Sequence, residues 1–187
     1  MVDLIKKIRE NLINNDKIII AIDGGCASGK TTLSKKLSEI YDANVIHMDD
    51  FFLPSEMRTE ERMKEIGGNF DYCRFKKEVA DMLMKNIPFA YGVFDCSTGE
   101  INKTINIEPK KINIVEGVYS LHPLFDEIYN LKIFLKIDKN EQIRRLKVRS
   151  PEKFERFICE WIPKENEYFS NFRIEEKCDL VLEKFEI

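Results

Sequence analysis

The amino-acid sequence predicts a three-layer α/β sandwich, in which helices cover both faces of a mainly parallel five-stranded sheet. Short apolar runs rich in β-branched residues alternate along the chain with amphipathic helical patterns. These runs show no polar alternation, as expected of strands that are buried on both faces. With 187 residues, of which 43% are hydrophobic, the chain is long enough to bury the core that such a sandwich requires.

Individual elements follow from local patterns. Leu4, Ile8 and Leu12 recur at helical spacing, which predicts a helix over residues 2–14. The predicted strands cover residues 18–22, 43–48, 112–115, 131–137 and 180–182. The further predicted helices cover residues 31–40, 55–65, 75–85, 141–148 and about 151–169. Pro163 is expected to bend or interrupt the last of these helices.

A projecting β-hairpin is predicted over about residues 91–107, because apolar and polar residues alternate there around the turn sequence Ser97-Thr98-Gly99. Neither an internal repeat nor a linker-like segment divides the chain. We therefore expect a single domain over residues 1–187, with the hairpin as an insertion.

Composition and charge exclude several classes of protein. Lys and Arg total 30 against 33 Asp and Glu, so the chain lacks the basic footprint of a nucleic-acid binder, and a small-molecule partner is expected. The five cysteines form no C-x-x-C pair, which indicates reduced thiols rather than a disulfide framework or zinc site. No apolar run approaches the length of a membrane span. We expect a cytoplasmic protein without a membrane partner, and the sequence leaves homo-oligomer formation open.

A phosphate-binding loop is the strongest motif in the chain. The predicted strand 18–22 leads into residues 24–31, whose sequence G-G-C-A-S-G-K-T matches G-x-x-x-x-G-K-[ST] at every fixed position. Small residues let backbone N–H groups converge on phosphate oxygens, and the following helix adds its positive N-terminal end. We expect Lys30 to contact the β- and γ-phosphates and Thr31 to bind Mg²⁺. The residues expected to bind the nucleotide are Gly24, Gly25, Cys26, Ala27, Ser28, Gly29, Lys30, Thr31 and Thr32.

ATP is the expected nucleotide, and GTP is retained as an alternative donor. GTPases carry N-K-x-D and D-x-x-G elements, whereas residues 102–105 read N-K-T-I and no D-x-x-G occurs in the sequence. A GTPase is therefore disfavoured. Within the loop, Cys26 is interpreted as a small residue that fits, in preference to a thiol acidified by the helix N-terminus.

Acidic residues follow three predicted strands, at the edge where parallel α/β sheets bind ligands. Asp23 precedes the loop, Asp49 and Asp50 follow the second strand, and Glu116 follows the third. An enzyme that phosphorylates an alcohol needs a carboxylate to accept the hydroxyl proton and acids to hold Mg²⁺. We expect Thr31, Asp49 and Glu116 to be the metal ligands, and caps of helices or strand ends are the structural alternative for the acids.

Three segments beyond the loop occur in a characteristic order: V-I-H-M-D-D-F-F at residues 45–52, N-F-D-Y at 69–72 and V-E-G at 115–117. Together with the loop they resemble the uridine kinase and phosphoribulokinase family of P-loop kinases, especially its bacterial uridine-kinase-like branch. The resemblance extends from about residue 18 to residue 182. It implies a P-loop NTPase fold and phosphoryl transfer from ATP to an alcohol.

The resemblance also implies roles for individual residues. Asp49 matches the family's general base, with Asp50 as second choice, and Glu116 matches its magnesium-associated acid. Asp71 matches an aspartate that contacts sugar hydroxyls, and capping of a helix is the alternative for this residue. The expected catalytic residues are Lys30, Asp49 and Arg149. The expected substrate-binding residues are Asp49, Asp50, Phe52, Asp71, Tyr72, Tyr119 and His122.

A short lid is expected over about residues 144–155, which resemble the arginine-bearing lid of the family. A guanidinium of Arg144, Arg145 or Arg149 could there stabilise the charge on the transferred phosphoryl group. His47 is interpreted as structural, because it lies within a predicted strand.

The sequence departs from uridine kinases where the base is recognised. Residues 94–100, F-D-C-S-T-G-E, resemble the family segment Y-D-F-x-x-H-x-R, but Gly99 and Ile101 stand at the His and Arg positions. Base selectivity rests on paired polar groups, so discrimination for uracil is in doubt. The expected function is an ATP-dependent kinase of a uridine-like or cytidine-like riboside. The alternatives are a kinase of a non-nucleoside alcohol, such as a vitamin precursor or sugar derivative, and a catalytically silent nucleotide-binding regulator.

Overall fold

A five-stranded parallel sheet forms the centre of the computed structural model, which describes residues 2–183. The strands of this sheet are β1 (Ile18–Gly24), β2 (Asn44–His47), β5 (Ile112–Glu116), β6 (Leu131–Leu135) and β7 (Leu180–Leu182). Their order across the sheet is β2-β5-β1-β6-β7, and every neighbouring pair is parallel. The predicted mainly parallel five-stranded sheet is confirmed, and β6 ends two residues earlier than expected.

The middle of the sheet explains the apolar run at residues 18–22. Strand β1 lies between β5 and β6 and is buried along its whole length. Its side chains alternate between two clusters, with Ile18 and Ile20 on one face and Ile19 on the other. A strand covered on both faces needs apolar residues at successive positions, because neither face meets water.

Helices cover both faces, which gives the three predicted layers. Leu4 of the first helix and Leu33 of the second pack in the cluster on one face, and Val79 and Tyr168 pack in the cluster on the other. The helices are α1 (Val2–Asn14), α2 (Lys30–Tyr41), α3 (Glu60–Lys64), α4 (72–85), α5 (Lys139–Arg149) and α6 (154–172). Among the described residues, no helix is long and apolar enough to cross a bilayer.

The prediction of one helix over residues 55–65 is wrong. The chain instead forms a 3₁₀ turn at Ser55–Met57, leaves helical geometry at Arg58, and begins α3 at Glu60. The cause is Thr59, whose side chain caps a new helix by accepting the Arg62 N–H.

The two longer helices on the second face each contain a π-helical turn, at Lys76–Ala80 in α4 and at Phe157–Trp161 in α6. Helix α4 begins three residues before the predicted start. Helix α6 runs through Pro163 to Phe172, so the proline does not interrupt it. The π turn ends two residues before Pro163, which has no N–H to donate to the preceding turn.

The predicted hairpin forms a separate antiparallel sheet of β3 (Phe89–Asp95) and β4 (Glu100–Ile107), with an irregularity between Val93 and Phe94. Arg74 of α4 ties it to the rest of the molecule by donating to Gly92 O at 2.6 Å. The expected single domain over residues 1–187, with insertion and lid, stays a prediction. Its first residue and its last four, 184–187, lie outside the described residues.

Candidate active site

A cleft of about 1020 Å³ lies beyond the carboxyl ends of β1, β2 and β5. The register of the sheet explains this position, because Glu116 at the end of β5 is level with both Ile22 of β1 and His47 of β2. One end of the cleft is lined by the loop between β1 and α2, which we call the phosphate end. The other, which we call the acceptor end, is lined by the hairpin and by loops after β2 and β5.

The loop at the phosphate end has the backbone shape that its sequence requires. Gly24, Ala27 and Gly29 all have positive φ, of 142°, 60° and 103°. A Cβ atom at Gly24 would lie 2.3 Å from Leu135 O, so only glycine fits there. Turns of this kind present N–H groups to an anion, and the N-terminus of α2 lies directly behind them. The loop therefore fits a nucleoside polyphosphate.

Lys30 is folded into this loop. Its Nζ donates to Gly24 O at 2.6 Å and to Gly25 O at 2.9 Å, and the residue is buried. These bonds hold the ammonium group in the cleft wall, where it can also meet phosphate oxygens. Helix α2 begins at Lys30, one residue before the predicted start, and the catalytic role of Lys30 stays a prediction.

Three side chains meet at the carboxyl ends of β2 and β5. Thr31 Oγ1 donates to Glu116 Oε1 at 2.9 Å, and His47 Nδ1 lies 2.6 Å from the same oxygen. The hydrogen bond to Glu116 raises the pKa of His47. From the sequence, His47 was interpreted only as a structural residue of a strand. The pairing of β2 with β5, which sets His47 beside Glu116, is not visible in the sequence.

Asp49 and Asp50 point to different surroundings, although they are neighbours in sequence. Asp49 is exposed to the cleft that it lines, and partial desolvation by the cleft walls raises its pKa, opposed by the charge of Lys30. Asp50 does not line the cleft, and it accepts a hydrogen bond from the Tyr91 hydroxyl at 3.2 Å. Of the two, Asp49 has the placement of a group that could act on a bound acceptor.

The donors beside the loop suit Mg²⁺. Thr31, Asp49 and Glu116 offer oxygen atoms, which this ion prefers, and all three line the cleft. Within residues 2–183, no three His, Cys, Asp or Glu side chains form a ready-made metal cage. Mg²⁺ usually keeps several waters and binds through a few protein oxygens together with substrate phosphates, so this sparse set fits it.

The acceptor end is mainly aromatic. Phe52 and Tyr119, both predicted from sequence, line it together with Phe70 and Phe94. Polar groups there include Arg58, whose Nε donates to Leu53 O at 2.7 Å. Phe70, Phe94 and Arg58 were not predicted from the sequence as binding residues. Gly99 also lines the cleft, and nothing lies within 4 Å of the place where its Cβ would be.

Four predicted substrate residues lie outside the cleft lining, namely Asp50, described above, and Asp71, Tyr72 and His122. Asp71 caps α4 by accepting the Arg74 N–H at 3.0 Å. Tyr72 stacks on His122, with ring centroids 5.7 Å apart. Burial lowers the pKa of His122 to about 4, and its Nδ1 accepts the Leu124 N–H. The structure therefore gives Asp71 its alternative capping geometry, and the substrate roles of these residues stay predictions.

The three arginines of the expected lid all line the cleft. Arg144 and Arg145 are both paired with Glu141, and Arg145 also donates to Ala27 O at 3.0 Å. Arg149 has no carboxylate partner among the described residues, and its guanidinium lies over the Phe157 ring at 5.7 Å. Arg149 is thus the arginine of this set that is most free to meet phosphate.

Asp23 has a supporting position behind the loop. It is fully buried and accepts hydrogen bonds from Gly24 N–H, Leu121 N–H and the Tyr168 hydroxyl. Burial raises its pKa to about 6. Burial and the charge of Glu165 raise the pKa of Cys26 to about 12, a shift opposite to acidification by the helix N-terminus. The interpretation of Cys26 as a small residue that fits stays a prediction.

Fold and site together define a P-loop phosphotransferase of the class that uses an alcohol group as acceptor. Comparison with curated proteins identifies the family. The chain is 34% identical over 141 residues to a uridine kinase of Chlamydia pneumoniae, and 32% identical over 145 residues to a uridine kinase of Macrococcus caseolyticus. These matches cover 71% and 72% of this chain, and 63% and 69% of the relatives. The chain belongs to the uridine kinase family.

Solved structures show the same fold. A structure described as a possible uridine kinase from Bacillus stearothermophilus has a TM-score of 0.70 at 18% identity, covering 97% of this chain and 100% of that chain. D-glycerate 3-kinase from Cryptococcus neoformans has a TM-score of 0.57 at 12% identity, covering 86% of this chain and 83% of that chain. No protein-family model matches the sequence.

Proposed function

We propose that the protein is an ATP-dependent kinase that transfers the γ-phosphoryl group to a hydroxyl of a riboside resembling uridine or cytidine. The observation that carries this proposal is the position of Asp49, which lines one cleft with the phosphate loop at one end and aromatic side chains at the other. A carboxylate between a phosphate site and an aromatic pocket suits transfer to a hydroxyl. Membership of the uridine kinase family supports the nucleoside.

In this proposal the loop backbone and Lys30 bind the phosphates, and Asp49 orients the acceptor hydroxyl and accepts its proton. Arg149 neutralises charge on the transferred group, and the helices around it exclude water. Thr31, Asp49 and Glu116 would hold Mg²⁺, which would neutralise phosphate charge when bound. ATP is the proposed donor, with GTP as the alternative.

The aromatic lining of the acceptor end suits the binding of a flat, apolar group, because a base can stack on the faces of aromatic rings. A second candidate is a kinase of a non-nucleoside alcohol. It is favoured by Gly99, which lines the cleft without a side chain at the position that resembles the family's base-reading histidine. Neither Gly99 nor Ile101 supplies a side-chain donor to a base.

The test is an assay of ADP release with Mg²⁺ and ATP against uridine, cytidine, nicotinamide riboside, pantothenate, D-glycerate and simple sugars. Lys30→Ala serves as the blank. Turnover that depends on uridine or cytidine supports the proposal. Turnover on another alcohol alone replaces the nucleoside by the second candidate, and silence on every acceptor with ATP binding intact overturns the kinase function.

The proposed setting is the reducing cytoplasm. All five cysteines lie in the described part of the chain, and each is a free thiol. Free thiols are typical of proteins in that compartment.

A further inference from the structure

Cys26, in the middle of the phosphate loop, is held by one side chain from each of two helices. Gln142 of α5 donates from Nε2 to Cys26 O at 2.9 Å. Glu165 of α6 accepts a hydrogen bond from the Cys26 N–H at Oε2, with 2.8 Å between the heavy atoms. Both side chains belong to buried residues. The helices that flank the cleft therefore fix the loop through the N–H and the C=O of one residue.

Glu165 brings a negative charge to a wall where negative phosphates bind. It lines the cleft and has no ion pair with a Lys or Arg among the described residues. The charge of Lys30 acts on it, but the Lys30 ammonium is hydrogen-bonded to Gly24 O and Gly25 O. Asp49, across the loop, adds a second negative charge, and burial raises the pKa of Glu165.

The hydrogen bond does not by itself require an acid. A glutamine at position 165 could accept the same N–H through its amide oxygen, without a charge. A carboxylate at position 165 repels the negative charges of a bound polyphosphate. The repulsion is stronger in a partly desolvated cleft wall than it is in water. The charge therefore has an effect on nucleotide binding that is separable from the hydrogen bond.

We propose that Glu165 is a positioning residue that aligns the phosphate loop through the Cys26 amide, and that its charge lowers the affinity of the loop for ATP and ADP. The hydrogen bond orders the empty loop. The charge limits how tightly the loop retains its nucleotide. This inference rests on the nucleotide binding in the proposed function, but not on the identity of the acceptor.

The charge is tested by titration calorimetry of ATP and of ADP with the wild type and with Glu165→Gln. Glu155→Gln is the matched control, since Glu155 is exposed on the same helix, does not line the cleft, and the substitution changes net charge equally. We expect Glu165→Gln to lower both dissociation constants about tenfold, with Glu155→Gln close to the wild type. Unchanged or weaker binding in Glu165→Gln, or an equal gain in Glu155→Gln, overturns the proposal.

The hydrogen bond is tested without nucleotide by hydrogen exchange of peptides that cover residues 23–33. Glu165→Ala should speed exchange in these peptides, and Glu165→Gln should restore protection close to the wild type. Fast exchange in both variants, or no change in Glu165→Ala, contradicts the positioning role. Should Glu165→Ala not fold, Glu165→Gln alone decides, since retained protection with tighter binding supports the proposal and loss of either overturns it.

The two proposals fail differently. A wild type that binds ATP but phosphorylates no acceptor overturns the proposed function and leaves the comparison of dissociation constants intact. A wild type that turns over an acceptor, with Glu165→Gln no tighter than wild type, overturns the role of Glu165 alone.

Discussion

The two ends of the cleft are built in different ways. The loop that forms the phosphate end is one continuous stretch, residues 23–32, and three positive φ angles and the hydrogen bonds of Lys30 set its shape. The acceptor end is assembled from side chains of separate segments, among them Phe52, Phe94 and Tyr119. A binding site made of backbone can be encoded by a short motif. A site made of distant side chains is encoded only by the tertiary fold.

The largest effect is expected for Asp49→Asn, which tests whether phosphoryl transfer can be lost while nucleotide binding at the phosphate end is kept. An amide cannot take the hydroxyl proton, so we expect kcat to fall by about 10³-fold. ATP binding, measured by calorimetry, should change little, because the loop is untouched. Asp50→Asn is the matched control and should lose far less activity, since Asp50 lies outside the cleft lining. Equal losses in the two variants would contradict the assignment of Asp49.

Low pH should lower the free energy of unfolding through His122, which packs behind the acceptor end. Burial lowers the pKa of His122 to about 4 in the folded protein, against about 6.5 in an unfolded chain. Unfolded chains therefore bind more protons between these pH values, and stability that is present above pH 6.5 is lost as pH falls towards 4. We expect this group alone to cost about 3 kcal/mol of unfolding free energy.

Urea unfolding of the wild type and of His122→Phe, at pH 7 and at pH 4.5, measures this effect. The phenyl ring keeps the aromatic contacts with Tyr72 and Tyr168 but cannot be protonated. The variant should lose less stability in acid than the wild type. The same acid loss in both proteins would show that other groups control it.

A comparison of arginines separates a free cation from a paired one at the phosphate end. Arg149→Gln should lower kcat by about 10²-fold, because it removes a charge that can stabilise the transferred group. Arg144→Gln should have a much smaller effect, since Arg144 is exposed and paired with Glu141. Steady-state kinetics with ATP and the best acceptor give both values. A larger loss in Arg144→Gln would reverse the assignment.

The smallest expected effect concerns acceptor binding alone. Phe94→Ala removes an aromatic wall of the acceptor end, so we expect the KM for the acceptor to rise about tenfold. The dissociation constant of ATP should stay the same. Ile87→Ala, at an exposed position just before β3 and outside the cleft lining, is the control and should leave the KM unchanged. A parallel change in ATP affinity would mean that the two ends are not independent.

Sequence patterns were sufficient wherever the information is local. The run at residues 18–22, the helix at 2–14 and the phosphate loop each depend on neighbours within a few residues, and all three were located correctly. Local patterns failed at residues 55–65, where helical periodicity spans two separate turns. The cap formed by Thr59 outweighed that periodicity.

Contacts between distant residues carried the information that the sequence lacked. Glu165 accepts a hydrogen bond from the Cys26 N–H, which is 139 residues away in the sequence. The residues near either position give no indication of this contact. His47 meets Glu116 because two strands align in one register. Asp71 shows the converse case, since a motif-like position is used to cap a helix. Each of these outcomes depends on how elements pack, which no single segment determines.

The π turn at Phe157–Trp161 sets the angular phase of everything that follows it in α6. An α-helix advances about 100° per residue, so removing one residue from this turn would rotate the downstream half by that angle. Glu165 would then leave Cys26, and Tyr168 would leave Asp23, in a single step. The π turn therefore sets the orientation in which one helix contacts both the phosphate loop and Asp23. A one-residue deletion in this turn would break both contacts.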